Sequence, residues 1–440
     1  MRLAPLLLML VIPMAGAQVP SAVSSLSGAI WAQEDQKKDP TKGRKTKRTA
    51  TMREQVFKKL SEAQTAAEAE DFDTALKALR GIEKVKNLSP YEMAQLHNFY
   101  AYIYYTQDDY DGAIRSYKTV LAQPDLPEAL QNGTLFSLAQ LLFVQENYTE
   151  SEKMLLDWFD KVAAPNAQSY VMLAQCRYSM DKFREALEPM NTAINMAETE
   201  KGKAEENWYS LLRVLHYELE DYPATAQVLE TLVRLYPKKE YWLQLAGMYG
   251  EMEQSDKQMV VLDLAYRAGY FSKSSEYTNL AQLLLQEEIP YRAAQILEDG
   301  FQRGHVDEKV NNLRLLSQAY VMAQEDEKAL KPLESAAELD EDGELYMHLA
   351  NSLYNLNRFK QSEEAAREAL RKGLKRPSEA RITLGMALYE QDKLDAAKKA
   401  FRDIKEKRNQ KMAAQWINFI EREQARIRQL EEAIAANAAP

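Results

Sequence analysis

Four histidines and one cysteine are the side chains of this chain best suited to metal or nucleophilic chemistry. A zinc protease would need two histidines one helical turn apart with a glutamate between them. His97, His216, His305 and His348 are separated by dozens of residues and form no such pair. A thiolate nucleophile needs a base at hand, yet no recognisable motif surrounds Cys176, and it reads as a small packing residue. The acidic runs Asp108-Asp109 and Asp340-Glu341-Asp342 lack the glycine-punctuated oxygen ligands of a calcium loop and read as solvated helix ends. Phosphate-cradling and dinucleotide glycine patterns are missing, as is the G-x-S-x-G nucleophile elbow. The expectation is a protein without catalytic residues, metal or cofactor, whose function lies in a surface.

The elements presenting that surface follow from periodicity. In Trp242–Ala265, Trp242, Leu245, Ala246 and Tyr249 fall on one face of a first helix. After a polar turn, Leu262 and Ala265 mark the inward face of a second. The pattern recurs with Tyr100/Ala101/Tyr104, Leu138/Ala139/Leu142, Leu173/Ala174, Leu280/Ala281/Leu284, Leu349/Ala350/Leu353 and Leu384/Gly385/Leu388. A small second-helix position falls at Ala75, Ala113, Ser151, Ala186, Thr225, Gln258, Ala293, Ala329, Ser362 and Ala397, at intervals of 33 to 39 residues. This W-x2-L-A-x2-Y spacing with a period near 34 resembles the tetratricopeptide repeat, in which each helix hairpin stacks on the next. The expected fold is all-α, a right-handed α-solenoid of about ten hairpins over 56–411, with a capping helix and tail at 412–440. In the fifth unit Trp208, Leu211 and Leu215 suit a first helix, but Tyr222 and Thr225 call for one extra residue in the turn. Pro127, Pro165, Pro237 and Pro377 are expected to stop second helices.

Composition agrees with a helical array, since Gly and Pro are sparse at 15 each in 440 residues. The formal net charge of −10 argues against a nucleic-acid surface. A lone cysteine excludes an internal disulfide framework. After Arg2, the apolar run Leu6–Ile12 and the small residues Ala15-Gly16-Ala17 or Ile30-Trp31-Ala32 predict a signal peptide over 1–32 and export to the periplasm. An uncleaved inner-membrane anchor is the alternative. The basic stretch Lys37, Lys38, Lys42, Arg44, Lys45, Lys47, Arg48 within 33–55 reads as a flexible linker, or as an arm for an anionic membrane or an acidic partner.

In tetratricopeptide arrays the first helices line the binding groove. Carried onto this register, the candidate partner-binding residues are Asn98, Tyr102, Tyr105, Phe136, Gln140, Phe143, Gln175, Tyr178, Arg213, His216, Gln282 and Arg314, followed by Gln318, Asn351, Tyr354 and Tyr389. Rings beside amides suit an extended peptide, because rings bury apolar area while amides pair with its backbone. Packing between neighbouring helices is the competing role for the rings. The acidic body favours basic or tyrosine-compatible partners. The lysine–asparagine clamp that some such domains use for a terminal carboxylate is not recognisable.

Three segments carry a narrower likeness: Asn98–Tyr105 (NFYAYIYY), Glu206–Arg213 (ENWYSLLR) followed by Asp221-Tyr222-Pro223, and Tyr236–Glu251 (YPKKEYWLQLAGMYGE). The chain resembles exported bacterial tetratricopeptide proteins found with TonB–ExbB–ExbD energy-transducing systems. That resemblance implies a periplasmic, non-enzymatic accessory of TonB-dependent outer-membrane uptake, with TonB-, ExbB- or ExbD-type components as partners. The other expectation is a scaffold for cell-wall or polysaccharide assembly machinery.

Overall fold

The computed structural model describes residues 51–438, with side chains through residue 434. The expected signal peptide and the basic stretch 37–48 lie outside the described residues. Among the described residues there are twenty-one α-helices and no strand, so the fold is all-α, an array of ten helix hairpins and a final helix. The described residues divide into two compact units, split after Pro237. In the first unit the hairpins are α1 (Glu54–Glu68) with α2 (Phe72–Glu83), α3 (Pro90–Thr106) with α4 (Tyr110–Leu121), α5 (Glu128–Val144) with α6 (Tyr148–Phe159), α7 (Ala167–Tyr178) with α8 (Phe183–Lys201), and α9 (Glu206–Glu218) with α10 (Tyr222–Leu235). In the second they are α11 (Lys239–Glu251) with α12 (Ser255–Arg267), α13 (Ser274–Gln286) with α14 (Pro290–Gln302), α15 (Val310–Met322) with α16 (Asp326–Leu339), α17 (Glu344–Asn355) with α18 (Phe359–Lys372), and α19 (Pro377–Tyr389) with α20 (Leu394–Arg402). The long α21 (Lys407–Ala438) follows.

One turn serves all ten hairpins. A residue in the left-handed region ends each first helix: Glu70, Asp108, Glu146, Asp181 and Glu220 in the first unit, then Glu253, Glu288, Gln324, Asn357 and Asp392, all at φ 57–60°. The N–H of the next residue donates to the carbonyl five positions back, as from Asp109 to Tyr104 at 2.9 Å and from Lys393 to Leu388 at 3.0 Å. This is the Schellman closure, which most helices complete with glycine because an L side chain is strained there. Here polar and mostly acidic residues take the place, with their side chains in solvent. The closing residue also starts the second helix. Asp71, Asp109, Asn147 and Asp221 accept from the backbone N–H three residues on, as N-caps do.

Small residues set how closely the two helices approach. Counted from the turn-closing residue, the position eight before and the position four after face each other across the hairpin. They hold Ala63 and Ala75, Ala101 and Ala113, Ala139 and Ser151, or Ala350 and Ser362, all buried. The hydroxyls of Ser151 and Ser362 donate to the carbonyls of Ala139 (2.7 Å) and Ala350 (2.8 Å), so each polar substitute satisfies itself at the contact. At Gly385 an added Cβ would lie 2.6 Å from the Phe401 ring, so only glycine fits. In α11–α12 the bulky member is Gln258, and the gap it needs is supplied by Gly250, whose added Cβ would meet it at 2.8 Å.

Two expectations are corrected. The fifth hairpin has no extra turn residue; Asp221 closes on His216 at 2.9 Å as in the other nine. What differs is that Arg213 occupies the position that elsewhere holds Ala, Gly or Ser, and it is half-buried there. Pro127 and Pro377 stop no helix but open the next one, as N-cap of α5 and first residue of α19, where a missing N–H costs nothing. Pro189 and Pro332 sit inside α8 and α16 instead, each seven residues beyond its turn-closing residue. Pro189 cannot donate to the Glu185 carbonyl, and Arg177 Nη1 takes that acceptor at 2.9 Å.

The end of the second unit is covered by α21. Trp416 stacks on Phe401 with centroids 5.4 Å apart, and Ile420 is fully buried. Further along the same helix Leu430 and Ile434 return to solvent.

Candidate partner-binding faces

The common turn supplies a ruler for comparing first helices. Seven residues before the turn-closing residue stand Gln64, Tyr102, Gln140, Gln175 and Val214 in the first unit. Gly247, Gln282, Gln318, Asn351 and Met386 are their equivalents in the second. Six of these ten are amides on half-buried or exposed faces. Gln140, Gln175 and Gln282 make no hydrogen bond among the described residues. Gln318 reaches only the Met322 sulfur, at 3.9 Å, and Asn351 accepts from Thr383 Oγ1 at 2.6 Å.

Eleven and fourteen residues before the turn, on the same side of α3, lie Asn98 and Gln95, each only 7% exposed. Asn98 has no hydrogen-bond partner among the described residues. Gln95 donates to the Tyr91 hydroxyl at 3.0 Å, but its Oε1 has none. Leaving the buried Gln95 Oε1 unpaired costs about 1–3 kcal/mol. Gln95, Asn98, Tyr102, Phe136, Gln140 and Gln175 therefore share equivalent faces of α3, α5 and α7, with several amide groups unused by the fold. Phe136 is half-buried against Trp158, with centroids 5.1 Å apart, and Tyr102 packs on the first hairpins' core. Gln282 and Arg314 stand on equivalent faces in the second unit, both exposed.

The remaining candidates do other work or stand elsewhere. Tyr105, Phe143 and Tyr178, four residues before the turn-closing residue, each meet the first ring of the following helix: Tyr110 at 6.0 Å, Tyr148 at 5.3 Å and Phe183 at 5.7 Å. Tyr217–Tyr222 and Tyr354–Phe359 repeat the staple at 6.2 and 5.5 Å. Tyr389 is taken up by Trp416 of the final helix. Arg213 and His216 are corrected: they lie one place out of register, Arg213 at the helix–helix contact and His216 with Nδ1 3.5 Å from Asp221 Oδ2. Their outward equivalents are Val214 and Tyr217. Counting back from the turn would have found them, and would also have added Gln64, Gln95, Gln168 and Asn207; counting forward from Trp208 did not.

Electrostatics separate this face from its surroundings. Residues 51–237 contain 18 Lys and Arg against 29 Asp and Glu. Yet at these three equivalent positions of its five first helices, fifteen sites from Phe57 to Val214 of which Leu60, Gln95, Asn98 and Val171 are buried, there is no charged residue. The second unit differs, with Glu240, Arg314, Glu344 and Glu379 at equivalent sites. Carboxylates elsewhere in the first unit tie hairpins together. Against the cost of burial, hydrogen bonds from Lys182 and Arg177 hold Glu152 below the ordinary range. Glu92 is buried, and the Arg53 guanidinium at 2.7 Å, helped by backbone donors, lowers its carboxyl from 4.5 to about 2. Burial raises the Cys176 thiol to about 11, and its sulfur sits 3.3 Å from Ser151 Oγ. That environment suits packing rather than nucleophilic attack. Among the described residues no group of three or more His, Cys, Asp or Glu could hold a metal, and no helix is long and apolar enough to cross a membrane.

A tetratricopeptide-repeat family model matches residues 60–127 and 348–411. No curated protein matches the chain. Among solved structures, the chain is similar to MamA, with 18% identity over 40% of this chain and 91% of that one and a TM-score of 0.33. It is also similar to a tetratricopeptide repeat protein from Parabacteroides merdae, with 15% identity, coverage of 60% and 99%, and a TM-score of 0.33. A third, YrrB, described as a TPR protein with an unusual peptide-binding site, shows 14% identity, coverage of 42% and 88%, and a TM-score of 0.33. The fold assignment rests on the hairpins themselves and on the family match.

Proposed function

We propose that this tetratricopeptide-type chain is a non-enzymatic scaffold whose first-helix faces hold a segment of a protein partner. The observation that carries the reading is the set of amides that the fold leaves unused, Asn98, Gln140 and Gln175 in one unit and Gln282 in the other. Side-chain amides offer a donor and an acceptor together, which matches a peptide group. Replacing Gln140 and Gln175 by alanine should abolish partner capture while leaving helicity and thermal stability unchanged, because neither side chain bonds to the fold. Capture at wild-type level by that variant would overturn the assignment of this face.

The finer proposal is a periplasmic accessory of a TonB-dependent outer-membrane uptake system. Its support is the leader-like N-terminus and the likeness of Asn98–Tyr105, Glu206–Arg213 and Tyr236–Glu251 to exported proteins of that group. Crosslinking in intact cells followed by pull-down should return TonB-, ExbB- or ExbD-type proteins. Recovery of envelope glycan-assembly enzymes in their place would move the scaffold to cell-wall or polysaccharide assembly.

A further inference from the structure

We infer that the first unit selects an uncharged, extended polypeptide segment, read through its backbone. This rests on the partner-binding reading above and adds the chemistry of the partner. Three independent observations converge on it. Gln95 and Asn98 are each more than nine-tenths buried on the face shared with Tyr102, and the Oε1 of Gln95 has no hydrogen-bond partner. Gln140 and Gln175 present further unpartnered amides at the equivalent place of the next two first helices. The eleven of this unit's fifteen equivalent positions that reach solvent are all neutral, in a chain with 28% charged residues and in a unit with an excess of acids.

A lysine-rich or acidic segment would have to shed its hydration on such a face without gaining an ion pair. A neutral segment loses only its backbone hydration and regains it as hydrogen bonds to the amides. A neutral glycan fits less well, because Tyr102 and Phe136 are partly taken up by packing in the hairpins.

The test is selection from a phage-displayed random decapeptide library on the full chain, followed by anisotropy titration of the enriched peptides. Enriched sequences should be poor in Asp, Glu, Lys and Arg. Their affinity should change less than twofold between 50 and 500 mM salt and fall at least tenfold in the pair Asn98→Ala with Gln140→Ala. Gln318→Ala in the second unit should leave it unchanged. Because Asn98 is buried, Gln140→Glu provides a surface variant that keeps the fold: it should turn the selection toward Lys- and Arg-bearing peptides. Enrichment of charged peptides whose binding is lost on Gln140→Ala would overturn this inference while leaving the scaffold reading intact. Peptide binding indifferent to every substitution on the face would overturn both. No enrichment at all, or binding of maltoheptaose in place of peptides, would also overturn the inference.

Discussion

Single side chains show how this array accommodates polar groups that a hairpin core ordinarily rejects. Glu92 is kept ionised by Arg53, whose own backbone N–H also donates to it at 2.9 Å. Its carboxyl is lowered from 4.5 to about 2, so its contribution is present above about pH 4.5 and lost as pH falls through about 2. Glu92→Gln should therefore be less stable than the native chain in guanidine unfolding at pH 7, with the deficit nearly gone at pH 2; an equal deficit at both values would show that the ion pair is not its source. Ser151 and Ser362 solve a milder version of the same problem by bonding to the facing carbonyl. Gln95 does not solve it for its Oε1, which is why it directs attention to a ligand.

At the scale of the element, the hairpin turn is the recurring device of the chain's architecture. It repeats ten times with the same left-handed residue and the same closing hydrogen bond. An L residue there costs about 1–2 kcal/mol in conformational strain, while glycine costs about 0.5–1 kcal/mol through the unfolded chain. Glu288→Gly should thus raise or hold the thermal midpoint, and Glu288→Val should lower it, since a β-branched residue tolerates positive φ least. A valine variant as stable as the native chain would refute the strain. The aromatic staples Tyr105–Tyr110, Phe143–Tyr148 and Tyr178–Phe183 span the same turn. Rings at these positions consequently have a packing role whether or not they also touch a partner.

For the whole molecule, stability is a sum over neighbouring hairpins rather than the property of a single core. Urea unfolding followed by circular dichroism should be broader than one cooperative transition of this length, with an apparent m-value well below that expected from the chain's size. A single steep transition with the full m-value would contradict that picture. The helical class, the hairpin repeat and the ten small second-helix positions could be read from the sequence, because close helix contact admits few residue types and the apolar period is strict. Nine of those ten are buried, and the tenth, Gln258, is accommodated by Gly250. Register in the fifth hairpin was not legible, because Arg213 breaks the small-residue signal and only the turn hydrogen bond fixes the count. Which rings are spent inside the fold, and which amides are left without partners, was decided by tertiary structure alone. Tyr105 and Tyr102, or Gln140 and Gln95, are alike in type and in helical spacing. They differ in what packs against them from other helices, and that depends on contacts between residues distant in the chain.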